Sequence, residues 1–144
     1  MVCTFFGHRN VSDNIEVLLH TTLTELIENY SVDTFFVGNQ GGFDNLVRKE
    51  LKKLTKIYPH IKYTVVLAYF PEKYDTSDVD DYSDTIFPNG LENVPRKFAI
   101  DKRNRMMIEW ADIVITYVSD TFGGAYKFKK ISERKGKKVI NLLL

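Results

Sequence analysis

The chain has 144 residues, a net charge of +1 and a single cysteine, with 44% hydrophobic and 27% charged residues, the makeup of one ordinary soluble domain with apolar mass for one core. A charge so near zero argues against holding nucleic acid through bulk electrostatics; the lone Cys3 excludes an internal disulfide and fits a reducing compartment; no apolar run is long enough to cross a bilayer. Gly7-His8-Arg9 interrupts the first apolar run, so the N-terminus does not read as a signal peptide, and the expected location is cytoplasmic.

Val2–Phe6 is rich in β-formers and reads as a buried first strand. After Gly7-His8-Arg9-Asn10 a helix is expected, capped by Ser12 or Asp13, with Glu16 completing a capping box if Asp13 is the cap. Its apolar stripe is Ile15, Leu18, Leu19, Thr22, Leu23, Leu26 and Ile27. A second strand, Thr34–Val37, ends in Gly38-Asn39-Gln40-Gly41-Gly42. The helix after it turns Phe43, Leu46, Val47, Leu51 and Leu54 inward, with Arg48, Lys49, Lys52 and Lys53 mostly outward. Lys62–Tyr69 is a third strand.

Phe70 to about Pro95 is one long irregular segment, acidic in its first half, and connections of this length in compact domains are usually functional lids or partly disordered. Pro95 starts a third helix that runs to about Trp110, because proline suits the first helical position. Asp112–Val118 is a fourth strand. A last helix covers roughly Gly124–Lys135 and stops at Gly136, a C′ glycine, before a final strand Val139–Leu143.

Strands alternating with helices over residues 1–144 predict one α/β domain, a Rossmann-like doubly wound parallel sheet of about five strands in the order 3-2-1-4-5 with helices on both faces. Winding then reverses between strands one and four, and a crevice opens beyond their carboxyl ends. Gly7, His8 and Arg9 lie there, with Gly38, Gly41 and Gly42 beside them and Gly123 and Gly124 where strand four opens into a helix. Glycines at a strand-to-helix junction let backbone N–H groups face an anion; the spacing matches neither a dinucleotide fingerprint nor a P-loop. Arg9 offers a fork for phosphate or carboxylate. Asp44, in the first turn of its helix, either favours the helix dipole or accepts ribose hydroxyls.

At 100° per residue Arg103 shares a face with Ala99, Ile100, Met106, Met107 and Trp110, the face that packs inward. A charge there needs a partner. The reading preferred from sequence is a guanidinium reaching an anionic ligand group; the alternative is a buried ion pair with Asp112 or Asp44. The basic run Lys127, Lys129, Lys130, Arg134, Lys135, Lys137 and Lys138 is read as the solvated face of the last helix. Three histidines and one cysteine at these spacings make no metal site, and neither a Ser-His-Asp pattern nor a convincing carboxylate pair is evident.

Four stretches together carry a family resemblance: Thr4-Phe5-Phe6-Gly7-His8-Arg9; Phe36-Val37-Gly38-Asn39-Gln40-Gly41-Gly42-Phe43-Asp44; Arg103-Asn104-Arg105-Met106-Met107; and Ala111-Asp112 through Gly123-Gly124-Ala125. The chain resembles the SLOG superfamily of Smf/DprA and LOG Rossmann-type domains, with its nearest likeness to small stand-alone bacterial and phage members of the YpsA-like branch. The resemblance implies a pocket for a nucleotide or nucleotide-derived molecule, with Arg9 and Arg103 on its phosphate and Asn104 or Asp44 on the ribose. No cofactor is expected, a homo-oligomer is expected from the resemblance and the 13% aromatic content, and nucleic acid is not expected as a partner on the charge argument above. The resemblance also implies two other readings. One is a LOG-type N-glycosidase (phosphoribohydrolase) using His8 or Asp44 as acid–base, although no carboxylate stands in Ala125–Phe128 where those enzymes carry one. The other is a DprA-like DNA-associated module using the lysine-rich last helix.

Overall fold

The computed structural model describes residues 1–12, 14–69, 85–119 and 123–143. Six parallel strands form one sheet: β1 (Val2–Gly7), β2 (Thr34–Val37), β3 (Lys62–Val66), β4 (Thr85–Ile86), β5 (Ile113–Tyr117) and β6 (Lys138–Asn141), in the order β4-β3-β2-β1-β5-β6. Helices α1 (Ile15–Asn29), α2 (Gly41–Ile57), α3 (Arg96–Trp110) and α4 (Gly124–Arg134) connect them. The expected order holds, with the two-residue β4 added beyond β3. Residues 85–95 are thus not irregular throughout: β4 is followed by a turn in which Gly90 takes φ +94 and by the 3₁₀ turn Leu91–Asn93. The acidic part of the expected irregular segment falls on 70–84, outside the described residues, as do Asp13, Thr121 and Phe122. Among the described residues, no helix is long and apolar enough to cross a membrane.

Each sheet face has its own core, as a doubly wound sheet requires. Leu19, Leu23 and Leu26 of α1 and Phe43, Val47, Leu51 and Leu54 of α2 pack with Cys3, Phe5, Phe35, Val37, Ile113 and Ile115 on one face. On the other, Met107 and Ile108 of α3 and Phe128 and Ile131 of α4 cover Phe6, Val66 and Val114. Period-two alternation along β1 sends Phe5 to the first core and Phe6 to the second, where Phe6 stacks on Phe128 at 5.4 Å.

Local departures from the sequence reading have physical causes. The cap of α1 is Asn14, with no side-chain bond to the helix, and Ser12 bonds the Asn14 side chain instead. Glu16 pairs with Lys53 of α2 at 3.5 Å. Strand three ends at Val66, where its neighbours end: the last residue of β2, Val37, pairs with Val65, and the last of β4, Ile86, pairs with Val66. The buried face of α3 is rotated toward Asn104 and Ile108. Trp110 is left 38% exposed, its ring 5.0 Å from Phe36 at the sheet's amino edge. Arg48 is buried rather than outward.

Helix α4 ends as its glycine dictates. Gly136 takes φ +75, its N–H donates to the Glu133 carbonyl at 3.0 Å, and Lys137 N–H donates to the Ser132 carbonyl at 3.1 Å, the paired bonds of a Schellman cap. Gly136→Ala is expected to cost about 1 kcal/mol in urea unfolding, because only glycine takes that φ without strain.

Candidate functional site

In a parallel sheet the helix after each strand begins at the strands' carboxyl edge, and the helix before it ends at the opposite edge. Asp112 N–H donates to the Val2 carbonyl, fixing the C-terminus of α3 at the amino edge and its N-terminus at the carboxyl edge. The carboxyl edge therefore gathers Gly7, His8 and Arg9, the turn Gly38–Gly42, Tyr69, the first turn of α3, Ser119, and the first turn of α4.

His8 ties the switch point together. Its N–H donates to the Tyr117 carbonyl at 3.0 Å, and its Nε2 accepts the Ser119 N–H at 2.8 Å. An imidazole nitrogen that accepts carries no proton, so the neutral ring is protonated at Nδ1. Tyr117, which the sequence reading did not single out, is the hub beneath this loop. Its ring lies edge-on to His8 and stacks on Phe43 at 5.8 Å, and its hydroxyl accepts the Ser12 N–H at 3.4 Å. Asn141 is the second unforeseen residue. Its side-chain amide bonds the N–H and carbonyl of Val118 at 3.1 and 3.0 Å and receives the Thr116 hydroxyl, fixing where β5 opens toward Ser119.

The two glycine pairs differ. Gly42 N–H donates to the Arg9 carbonyl at 2.8 Å and Phe43 N–H to the His8 carbonyl at 3.3 Å, so two first-turn donors of α2 are spent on the neighbouring loop. A Cβ on Gly42 would overlap the Arg9 carbonyl oxygen, and one on Gly7 the Phe43 ring; Gly41 sits at φ +89 against Arg9. Close backbone approach accounts for Gly7, Gly41 and Gly42. At α4, by contrast, Gly123 and Gly124 are exposed with open space around them, and the first-turn N–H groups have no partner among the described residues.

Arg103 is only 2% exposed. Nη1 donates to the Val66 carbonyl at 2.9 Å, with Asn39 Oδ1 at 3.5 Å, and Nε donates to Asn104 Oδ1 at 2.8 Å. Gly38 is wedged between this guanidinium and Asp44: a Cβ there would lie 2.7 Å from Asp44 Oδ2 and 3.0 Å from Arg103 Nη1. Asp44 also accepts the Gln40 N–H at 3.1 Å. Of the two carboxylates named as partners from sequence, Asp44 acts on Arg103 by charge across Gly38 without coming into ion-pair contact, and Asp112 instead accepts the Val2 N–H. Burial pushes the Asp44 carboxyl from 3.8 up to about 6, against the lowering pull of Arg103, the Gln40 N–H and Arg48. Burial likewise lowers Arg103, with Asp44 and Tyr69 opposing. His8 and Asp44, the two acid–base candidates, are thus both engaged with the protein's own groups.

The outer rim of this edge is cationic and aromatic. Arg9 is exposed and has no ion-pair partner among the described residues. Arg96 stacks over the Tyr69 ring, 4.0 Å from its centroid, and Lys97 sits 5.1 Å from the ring of Phe98, which is 53% exposed. Asp101, one turn on, is paired with Arg105 and with Lys127 of α4. No His, Cys, Asp or Glu cluster that could hold a metal is found among the described residues.

No protein-family model and no curated protein sequence matches the chain. A solved structure of DNA processing protein A (DprA) from Helicobacter pylori, described for its single-stranded DNA binding mode, matches with a TM-score of 0.61 and 16% identity. The match covers 98% of this chain and 64% of that one, so this chain spans about two thirds of its structural neighbour. At that identity the likeness is one of fold. It corrects the expectation that nucleic acid is not a partner, since this fold serves a single-stranded DNA binding protein. The charge is also unevenly spread along the chain: residues 70–84 hold six acids and one lysine, so a net +1 leaves +6 on the other residues.

Two predictions follow from this geometry. Gly42→Ala is expected to destabilise by about 1–3 kcal/mol through overpacking on the Arg9 carbonyl, whereas Gly124→Ala, in open space on a helix, is neutral or stabilising by up to about 1 kcal/mol; urea unfolding of the two separates them. The folded Asp44 carboxyl binds its proton more tightly than the unfolded one. Its contribution to stability is full below pH 4 and is lost as pH rises through 6, by about 3 kcal/mol at most. The stability of the native protein relative to Asp44→Asn should fall across that window, and a pH-independent difference between the two would contradict the assignment.

Proposed function

We propose that this chain binds single-stranded nucleic acid, with DNA the first candidate, along the carboxyl edge of its sheet. The observation that carries the reading is the rim itself: Arg9, Arg96 and Lys97 lack carboxylate partners among the described residues, and the exposed Phe98 stands beside them. Cations that track phosphates, with aromatic faces on which bases stack, are what sequence-tolerant single-strand binding needs. The open first turn of α4 at Gly123 and Gly124 adds N–H donors at the same edge. The fold shared with a single-stranded DNA binding protein supports the same reading, and with it a place in the SLOG superfamily. A cytoplasmic setting goes with this proposal.

Beneath the rim the buried groups have a positioning role. Arg103 and Asp44 fix the Gly38 turn, Gly42 ties that turn to Arg9, and His8 ties Ser119 to the same loop, so that the backbone carrying Arg9 is ordered before ligand arrives. Preorganisation of this kind lowers the ordering cost of binding.

Fluorescence anisotropy with labelled oligo(dT) over a salt series tests the proposal. Affinity should fall with salt. Arg9→Gln should flatten the log–log slope by about 0.7, and Phe98→Ala should cost about 1–3 kcal/mol. Absence of binding at low salt, or tighter binding to duplex than to single strand, would overturn it.

A further inference from the structure

The basic run on α4 is not uniformly a neutralised surface. Lys127, Lys129 and Lys135 sit against Asp101, Glu133 and Glu109. Lys130 and Arg134 have no carboxylate in ion-pair reach among the described residues. Lys130 lies instead over the Tyr126 ring, 5.6 Å from its centroid. Tyr126, Lys130, Glu133 and Arg134 line one surface cavity, and Glu133, its only acid, is held by Lys129 at 3.2 Å. Residues 126, 130 and 134 recur at i, i+4 and i+8, so they form a single stripe about 12 Å long on one helical face.

We propose that this cavity is a second nucleotide subsite, an inference that rests on the single-strand reading above. The Tyr126 ring stacks a base while Lys130 and Arg134 hold the phosphates that flank it. The stripe begins in the first turn of α4, at the carboxyl edge, and runs away from it along the helix. A strand seated on the rim is thereby continued down the outer face of α4 rather than leaving into solvent. An acidic peptide would use the two cations but has no use for an aromatic ring between them and the edge. A nucleic-acid strand uses both, by charge and by stacking.

The test compares a short oligo(dT) of about 5 nucleotides, which fills the rim alone, with one of about 20 that reaches α4. The double variant Lys130→Gln/Arg134→Gln should bind the short oligonucleotide like the native protein. Its affinity for the long one should fall roughly tenfold or more, with a salt slope shallower by about 1.4, twice the single-strand increment per phosphate. Tyr126→Leu should weaken the long oligonucleotide at least about fivefold, and light-induced crosslinking of a halogenated-uracil long oligonucleotide should map to Tyr126. Neither set of substitutions removes an ion pair, so unchanged thermal melting shows that the variants are folded. Equal affinity and slope for native and double variant on the long oligonucleotide would overturn the subsite while leaving the rim reading standing. Loss of the short oligonucleotide as well would overturn it by placing these residues in the rim site. Oligoglutamate binding that the double variant loses, with DNA binding intact, would overturn it in favour of an acidic-peptide surface. No binding of either oligonucleotide by the native protein would overturn both readings.

Discussion

A guanidinium cut off from water must find its partners inside the protein, and Arg103 finds them on both sides of the sheet edge. It projects from α3, which covers one face, to the Val66 carbonyl at the end of β3 and to the Gly38 turn, where Asp44 of α2, on the other face, lies against the same glycine. Removing the guanidinium would leave the Val66 carbonyl and the Asn104 side chain without their donor, and a buried polar group left unpaired costs about 1–3 kcal/mol. That cost locks the relative placement of the two helical layers at the carboxyl edge. Gly38 follows necessarily, since any Cβ would enter the space between the two charged groups.

The doubly wound order was readable in the sequence because it rests on the least ambiguous signal, apolar strands alternating with periodic helices. Phe5 and Phe6, adjacent in sequence and buried in opposite cores, show the alternation at work. β4 was not readable: two residues carry no period, and they pair only because β3 leaves an open edge. The rotation of α3 was missed for a related reason. Helical spacing identifies a stripe, but which side of it faces the sheet depends on Arg103 reaching Val66 and Asn104 being drawn in as its acceptor, and these are contacts between segments far apart in the chain.

Of the candidate site, its location at the switch point was legible and the division of labour within it was not. Gly41-Gly42 and Gly123-Gly124 look alike in sequence, each following a strand and opening a helix. What separates them is what lies alongside. The β1–α1 loop is pressed against the first pair and takes its donors, while nothing among the described residues approaches the second. Tyr117 and Asn141 gave no signal for the same reason. A buried strand tyrosine and an asparagine in the last strand look ordinary until the loops they hold are seen in place.

Charge shows the same limit of summed quantities. A total near zero describes the far field, whereas a polyanion within a few Debye lengths responds to where the charges sit and which are already matched. On α4, carboxylates neutralise the lysines that face α3 or the next turn, and Lys130 and Arg134 are left with an aromatic ring between them and the edge. At the rim, Arg96 is held over Tyr69 and Arg9 stands alone. A cation stacked on a ring keeps its full charge for a phosphate while its side chain is already ordered, so less entropy is lost when a ligand arrives than for a lysine free in solvent. Each of these two surfaces therefore sets a cation already ordered on a ring, Arg96 on Tyr69 and Lys130 on Tyr126, beside one that no carboxylate among the described residues holds, Arg9 and Arg134.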